Sequence, residues 1–451
     1  MNATTLPAES GLIGRGEREG RRLFTEWFGE LTNAALNGEP TAYVFVMGSM
    51  VEVLRAFDLH VTFPEINSLQ TAVKKVSGEF LAAAEDYGYS PDICGYVKAD
   101  IALQLQGGDH PMGRLPKPSL AVLTNACNTY IKWAEIWERL HGTRVFTLDV
   151  PGSRGAPGKI TQSRQDFDRD VGYVEHQIHE LIGVCEAVTG RAFDVDRLRE
   201  ILGYVNRMSR AYVRLLELGR ERPAPYDALT EGTIYLGVAN GLRGTEAGAR
   251  YFEDVVEELE HRVDLRMGKG REEKHRLIFV GVPCYPIFRR FHEMFSEWGG
   301  TFVGSTYLWF ASGGLNEGFE YSLDDPIRSL AEGTLVGVRS AGDSMLFHDR
   351  ALIRAIDDYD ADGVVYHPIK SCRTVSTGLA DSRRVVLEQR DVQCLYIESD
   401  MMDPRVISEA QLKNRIDAFF EGLESRKLRL AGTAAEEATA AQVGAEGGGE
   451  P

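Results

Sequence analysis

Three cysteines, Cys94, Cys127 and Cys372, stand where a thiolate could do chemistry. Cys94 opens a helical pattern in DICGYVKAD, Cys127 closes the apolar run SLAVLTNA, and Cys372 follows GVVYHPIKS. Each setting is polar, loop-like or helix-opening, with Lys98, Lys132, Lys370 and Arg373 close by in sequence. Backbone N–H groups at a helix start and neighbouring cations favour thiolate over thiol, and thiolates ligate soft metals and iron–sulfur clusters. The spacing alone discriminates little, because scattered single cysteines lack the short repeats that mark a metal site. Core packing and ligation both remain open on these residues alone.

The other cysteines read differently. Cys185 falls in the apolar stripe of LIGVCEAV and Cys394 alternates within a strand, so both are expected in the core, where free cysteine packs as a small hydrophobe. Cys284 follows a strand in VGVPCYP and is read as filler, with ligation as the alternative. None of the six cysteines forms a C-x-x-C pair, which argues against a disulfide framework.

Several apparent motifs fail on inspection. PGSRGAPGKI resembles a phosphate loop, but five residues rather than four separate Gly152 from Gly158, and Ile160 stands where Ser or Thr must bind magnesium. EHQIHE places His176 and His179 on one helical face without a third ligand nearby, as a solvated face does. There is no H-E-x-x-H, no G-x-S-x-G and no G-x-G-x-x-G after a strand, which leaves zinc protease, α/β-hydrolase and dinucleotide-binding readings without support. ATP, if the reaction needs it, must be bound by another chain.

The elements that position the cysteines are those of an α/β protein. Apolar runs that read as strands (AYVFV, HVTFP, LAVLTNA, RVFTLDVP) alternate with helical patterns over residues 17–155, among them one long helix, INSLQTAVKKVSGEFLAAAEDYG. Residues 156–272 carry helical periodicity with no β run. A second α/β region follows at 273–428, with strands RLIFVGVP, GTFVGSTY, GVVYHP and VQCLYIESD. The expected architecture is two doubly wound, Rossmann-like α/β domains with a helical segment between them, the ligand sites lying at strand ends. Residues 1–16 are expected to be flexible and the small, acidic tail 429–451 disordered. A net charge of −17 excludes a broad nucleic-acid or anionic-membrane surface, so an anionic ligand must be met by a local cluster of cations. With no signal-peptide h-region and no apolar run long enough to span a bilayer, a cytoplasmic location is expected.

At DICGYVKADI, TNACNTYIKW, DGVVYHPIKSCRT and IESDMMDPRVISEAQLKNRIDAFFE the chain resembles the benzoyl-CoA reductase and 2-hydroxyacyl-CoA dehydratase family, within it most nearly the B-type (O-type) subunits of the ATP-dependent reductases. The likeness runs from about residue 20 to 428. It implies that Cys94, Cys127 and Cys372 hold a [4Fe–4S] cluster with one iron left without a protein thiolate. The partners it implies are a C-type homologous subunit with its own cluster, two activator-like ATPase subunits sharing a bridging cluster, reduced ferredoxin as electron donor, and an acyl-CoA substrate. The activity it implies is reduction of benzoyl-CoA to cyclohexa-1,5-diene-1-carbonyl-CoA. The alternatives are a 2-hydroxyacyl-CoA dehydratase subunit, which recycles its electron to eliminate water, and a non-catalytic subunit that only relays electrons.

Proton donors are harder to read. His367 ends a strand five residues before Cys372 and is the candidate catalytic acid, against a packing role beneath the sheet. Asp403 and Arg405 serve either to cap the last helix or to meet CoA, and Lys132 and Trp133 either to line a cluster pocket or to form a helix face.

Overall fold

The computed structural model of the chain describes residues 12–152, 163–269, 272–346 and 348–446. Most of the expected flexible N-terminus, most of PGSRGAPGKI and the last five residues lie outside the described residues.

Two four-stranded sheets, both wholly parallel, carry the architecture. The first runs in the order β2 (His60–Thr62), β1 (Thr41–Val44), β5 (Leu120–Thr124) and β6 (Arg144–Leu148). A two-stranded hairpin, β3 (Asp109–His110) and β4 (Gly113–Arg114), precedes β5. The second sheet runs β10 (Gln393–Tyr396), β9 (Gly363–His367), β7 (His275–Gly281) and β8 (Gly300–Ser305). Strands β1, β5, β7, β8 and β9 are buried at every position, as expected of parallel strands covered on both faces by crossover helices. The α/β class and the two parallel sheets are those expected from the sequence.

The helices are α1 (Arg15–Asn37), α2 (Val51–Ala56), α3 (Pro64–Val73), α4 (Ser77–Asp86), α5 (Gly95–Leu105), α6 (Asn128–His141), α7 (Arg164–Thr189), α8 (Val195–Leu218), α9 (Thr230–Gly241), α10 (Glu246–Asp264), α11 (Phe288–Ser296), α12 (Thr306–Phe310), α13 (Pro326–Leu346), α14 (His348–Asp358), α15 (Arg373–Ser376), α16 (Leu379–Gln389) and α17 (Glu409–Glu446). Among the described residues, none is long and apolar enough to cross a membrane.

Three features depart from the expected pattern. The single long helix after β2 is two, α3 and α4, because Lys75 adopts φ +63°, a left-handed conformation that ends a helix. The break lets the Ser77 hydroxyl donate to the Met402 carbonyl at 2.7 Å, tying the first α/β region to the second. Helix α9 has no periodic polar face because it is enclosed, and its glycines admit aromatic neighbours: a Cβ at Gly237 would stand 3.1 Å from Phe24, and one at Gly241 3.1 Å from Trp27. Through these contacts α1 packs on the helical block as well as on the first α/β region, where Trp27 Nε1 donates to the Val61 carbonyl at 3.2 Å and Phe28 stacks on His110. Finally, α17 continues to Glu446 through the tail expected to be disordered. TAAEEATAAQ is small and acidic, but alanine and glutamate are strong helix formers and no proline interrupts them.

Candidate active site

Each of the three cysteines is the N-cap residue of a helix: Cys94 of α5, Cys127 of α6 and Cys372 of the short α15. Cys127 and Cys372 follow the carboxyl ends of β5 and β9, one from each sheet, so the two sheets point their functional ends at one another. The three sulfurs stand close enough to feel each other's charge. Burial pushes the Cys94 thiol up, the charges of Cys372 and Cys127 push it further, and the Val97 and Tyr96 amides oppose them. Burial pushes Cys372 up to about 11, with Cys127 adding to it and the Val375 and Thr374 amides opposing. Cys127 Sγ lies 3.6 Å from Thr374 Oγ1, on the turn that follows Cys372.

Close packing makes this meeting possible. Gly95, next to Cys94, presses against the second α/β region: a Cβ there would fall 2.7 Å from Met402 Cβ and 3.3 Å from Ser371 Oγ. Asp400 braces the Cys372 loop, its Oδ2 accepting from the Ser371 N–H at 2.8 Å and its Oδ1 from those of Met402 and Asp403. On the other side Asp100 of α5 is buried and accepts from the indoles of Trp133 and Trp137 on α6, both at 2.7 Å, and from Gln104 at 3.0 Å. This bracket joins the helices that Cys94 and Cys127 begin. Burial raises the Asp100 carboxyl to about 6, opposed by the same donors.

All six cysteines are free. Cys185 and Cys284 are fully enclosed and Cys394 partly so, each with its thiol raised by burial and none meeting the group of three. Among the described residues no three His, Cys, Asp or Glu side chains converge as they would on a single metal ion. Three soft sulfur donors within electrostatic reach of one another, two of them met by backbone N–H groups at a helix start, are a donor set that fits an iron–sulfur group.

His367 is fully buried beneath this site. Its Nδ1 meets the Val282 carbonyl at 2.7 Å and its Nε2 the Ser399 hydroxyl at 2.5 Å, and burial lowers it to about 4. With both ring nitrogens engaged, the imidazole holds the end of β9 to the neighbouring strand-end loops. Asp403 caps the turn at Pro404–Val406, and Arg405 pairs with Asp403 and, at 2.7 and 2.8 Å, with both oxygens of Glu85. Lys132 pairs with Glu135 on the exposed face of α6, whereas Trp133 points inward to Asp100.

A cleft of about 1160 Å³ opens beside the cysteines, between α1, α3, α9 and α11. Its inner wall includes Val46, Ile66, Leu69, Tyr285 and Tyr307. Lys74, Lys75 and Arg289 also line it, exposed and without an acidic partner among the described residues. The cysteines do not themselves line this cleft, and the layer between holds a residue that sequence reasoning missed, Glu65. Its Oε1 accepts from the Val46 N–H at 3.3 Å, and the Tyr130 hydroxyl stands within hydrogen-bonding reach of the carboxyl. Burial raises its carboxyl to about 7, opposed by the Tyr130 hydroxyl, and Tyr130 in turn feels the charges of Cys127 and Cys94. An acid directly after the strand-end proline of HVTFPEIN is the one sequence signal that pointed here.

Residues 48–423 match the family described as 2-hydroxyglutaryl-CoA dehydratase, D-component. The chain belongs to that family. It is 32% identical over 442 residues to the B-type subunit of the benzoyl-CoA reductase of Thauera aromatica, covering 95% of this chain and 98% of that one. It is 27% identical over 415 residues to the (R)-2-hydroxyisocaproyl-CoA dehydratase alpha subunit of Clostridioides difficile, covering 90% and 95%. To the (R)-phenyllactyl-CoA dehydratase alpha subunit of Clostridium sporogenes it is 25% identical, covering 83% and 88%. The family likeness inferred from the cysteine-bearing motifs is thus shown across nearly the whole chain.

Proposed function

We propose that this chain is the B-type subunit of an ATP-dependent benzoyl-CoA reductase and forms part of the module that reduces the aromatic ring. The observation that carries the reading is the gathering of Cys94, Cys127 and Cys372 at three helix N-termini beside a large cleft. The reductase subunit, at 32% identity, is also nearer to this chain than the dehydratase subunit at 27%.

Cys94, Cys127 and Cys372 would hold a [4Fe–4S] cluster. When bound, that group supplies low-potential electrons and, at an iron without a thiolate, Lewis acidity toward a carbonyl oxygen. The chain's own residues do the rest. The Tyr96 and Val97 amides at Cys94 and the Thr374 and Val375 amides at Cys372 offer N–H groups to the sulfurs and partly offset the burial that raises both thiols. Lys74, Lys75 and Arg289 gather cations at the outer cleft of a chain whose net charge is −17, where the phosphates of an acyl-CoA would be met. Val46, Ile66 and Leu69 give the inner cleft an apolar wall suited to an acyl group and exclude water from it.

Reduction of benzoyl-CoA to the cyclohexadiene adds two electrons and two protons. Glu65, protonated in a large fraction of molecules near neutral pH, holds a proton between the cleft wall and the cysteines and is the group placed to deliver one. His367, enclosed and neutral, keeps the Cys372 loop in place. The proposed partners are a C-type homologous subunit, two ATPase subunits with a bridging cluster, and reduced ferredoxin, in the cytoplasm.

Electron accounting tests the assignment. The co-expressed complex, supplied with ATP and a measured amount of reductant, should consume two electrons for every benzoyl-CoA lost. Turnover of a 2-hydroxyacyl-CoA with only catalytic electron consumption would transfer the chain to the dehydratases.

A further inference from the structure

Near the carboxyl end of α9 a side-chain amide meets the cleft. Asn240 is 3% exposed and shares the cleft wall with Val46, Leu236 and Ala311. Its nitrogen donates to the Leu236 carbonyl at 2.9 Å and to the Ala311 carbonyl at 2.8 Å. Only the N–H half of an amide can meet two carbonyl oxygens, so the orientation of the group is fixed. Both N–H groups are engaged, whereas Oδ1 accepts no hydrogen bond among the described residues and reaches the open space of the cleft. Tying α9 to Ala311 needs the nitrogen half alone. The oxygen half is a fixed acceptor among apolar neighbours, and a ligand that covers it without bringing a donor binds at a cost.

The chemistry of an acyl-CoA selects the donor. A benzoyl group carries no N–H or O–H, and the thioester only accepts. The donor nearest to them is the cysteamine amide, whose N–H is separated from the sulfur by an ethylene unit. We propose that Asn240 Oδ1 accepts the hydrogen bond of that amide N–H and so sets how far the acyl group enters the cleft. The inference rests on reading the cleft as the acyl-CoA site and makes Asn240 a positioning residue within it. An acyl chain slides along apolar walls, whereas one directional bond fixes its depth. A hydroxyl on the acyl group would suit the same acceptor, and the test separates the two sources.

Truncated thioesters provide that test without turnover. S-benzoyl-N-acetylcysteamine carries the amide; its analogue built on O-acetyl-2-mercaptoethanol has an ester oxygen in place of the N–H. The purified complex, oxidised and without ATP, is titrated calorimetrically with both and with benzoyl-CoA. Wild type should bind the amide about tenfold more tightly than the ester, the worth of one hydrogen bond. In Asn240→Leu and Asn240→Ala the amide and benzoyl-CoA should each weaken by that factor while the ester's affinity stays unchanged. Benzoyl-CoA bound as tightly by both variants as by wild type would overturn the proposal, as would an amide preference that persists in them. Equal weakening of amide and ester would make Asn240 a packing residue and overturn it too. The mandeloyl thioester of O-acetyl-2-mercaptoethanol adds an acyl hydroxyl and no amide; weakening confined to that ligand would assign the acceptor to the acyl group instead and overturn the proposal. If wild type binds neither benzoyl-CoA nor the truncated ligands, the acyl-CoA reading of the cleft falls first and this inference with it.

Discussion

Replacing Glu65 by glutamine separates a proton-holding carboxyl from a merely polar side chain of the same shape. The carboxyl is about 7 in the folded chain against an ordinary 4.5, because burial disfavours its charged form. Between those two values the native state keeps a proton that the unfolded chain has released. The stability this contributes is fully present below pH 4.5 and is lost as pH rises through 7. At about 1.4 kcal/mol for each pH unit between the two values, the loss is on the order of 3 kcal/mol. Glu65→Gln keeps an acceptor for the Val46 N–H and has no proton to lose. Urea unfolding of wild type and variant, followed by tryptophan fluorescence under anaerobic conditions, should show the variant gaining about 3 kcal/mol on wild type between pH 4.5 and pH 8. In the complex the same substitution should lower kcat by roughly 10²–10⁴, the range for a lost general acid, with KM little changed. A stability difference that stays constant with pH would refute the buried-acid reasoning, and full activity in the variant would remove Glu65 from proton delivery.

Other perturbations probe the surroundings. Asp100→Ala strips the acceptor from Trp133, Trp137 and Gln104 and should cost several kcal/mol at ~1–3 for each buried donor, while Asp100→Asn keeps an acceptor for the indoles and should cost less than half as much. Thermal unfolding at pH 5, below the Asp100 value of about 6, avoids masking by relief of the buried charge, and equal losses in the two variants would contradict the bracket. His367, held at about 4 against an ordinary 6.5, stays neutral where the unfolded chain gains a proton, so the stability it contributes is full above 6.5 and falls as pH drops toward 4. His367→Gln should flatten that acid limb, and since Glu65 acts in the opposite sense over much of the same range, single variants are needed to see either. Isolated from its partners, the chain should hydrolyse no ATP; measurable turnover would contradict the assignment of ATP to other subunits.

The parts of the site that local pattern could reveal were legible. The strands are apolar runs bounded by polar turns, and Cys94, Cys127 and Cys372 lie just where such runs or helix starts end, which is why all three emerge as N-caps. The helix break at Lys75 was not legible, because KKVS carries no glycine or proline and the tie that uses the break, Ser77 to Met402, crosses 325 residues. Helix α9 was hidden by its own burial, which removes the polar face that periodicity needs. Glu65 and Tyr96 escaped for a related reason. What sets them apart is burial beside Tyr130, Tyr285 and Tyr307, none of them near in sequence. His367 drew attention by standing before Cys372, yet its two hydrogen bonds are long-range contacts invisible in the strand itself.

Iron and acid-labile sulfide per chain, measured anaerobically on wild type and on single cysteine variants, test the central claim most directly. Wild type should carry about four of each from this chain, the content of one [4Fe–4S] cluster. Cys94→Ala, Cys127→Ala and Cys372→Ala should each lose most of it, while Cys185→Ala and Cys284→Ala should keep it. Iron retained in full by Cys372→Ala, or lost equally in all five variants, would contradict the account.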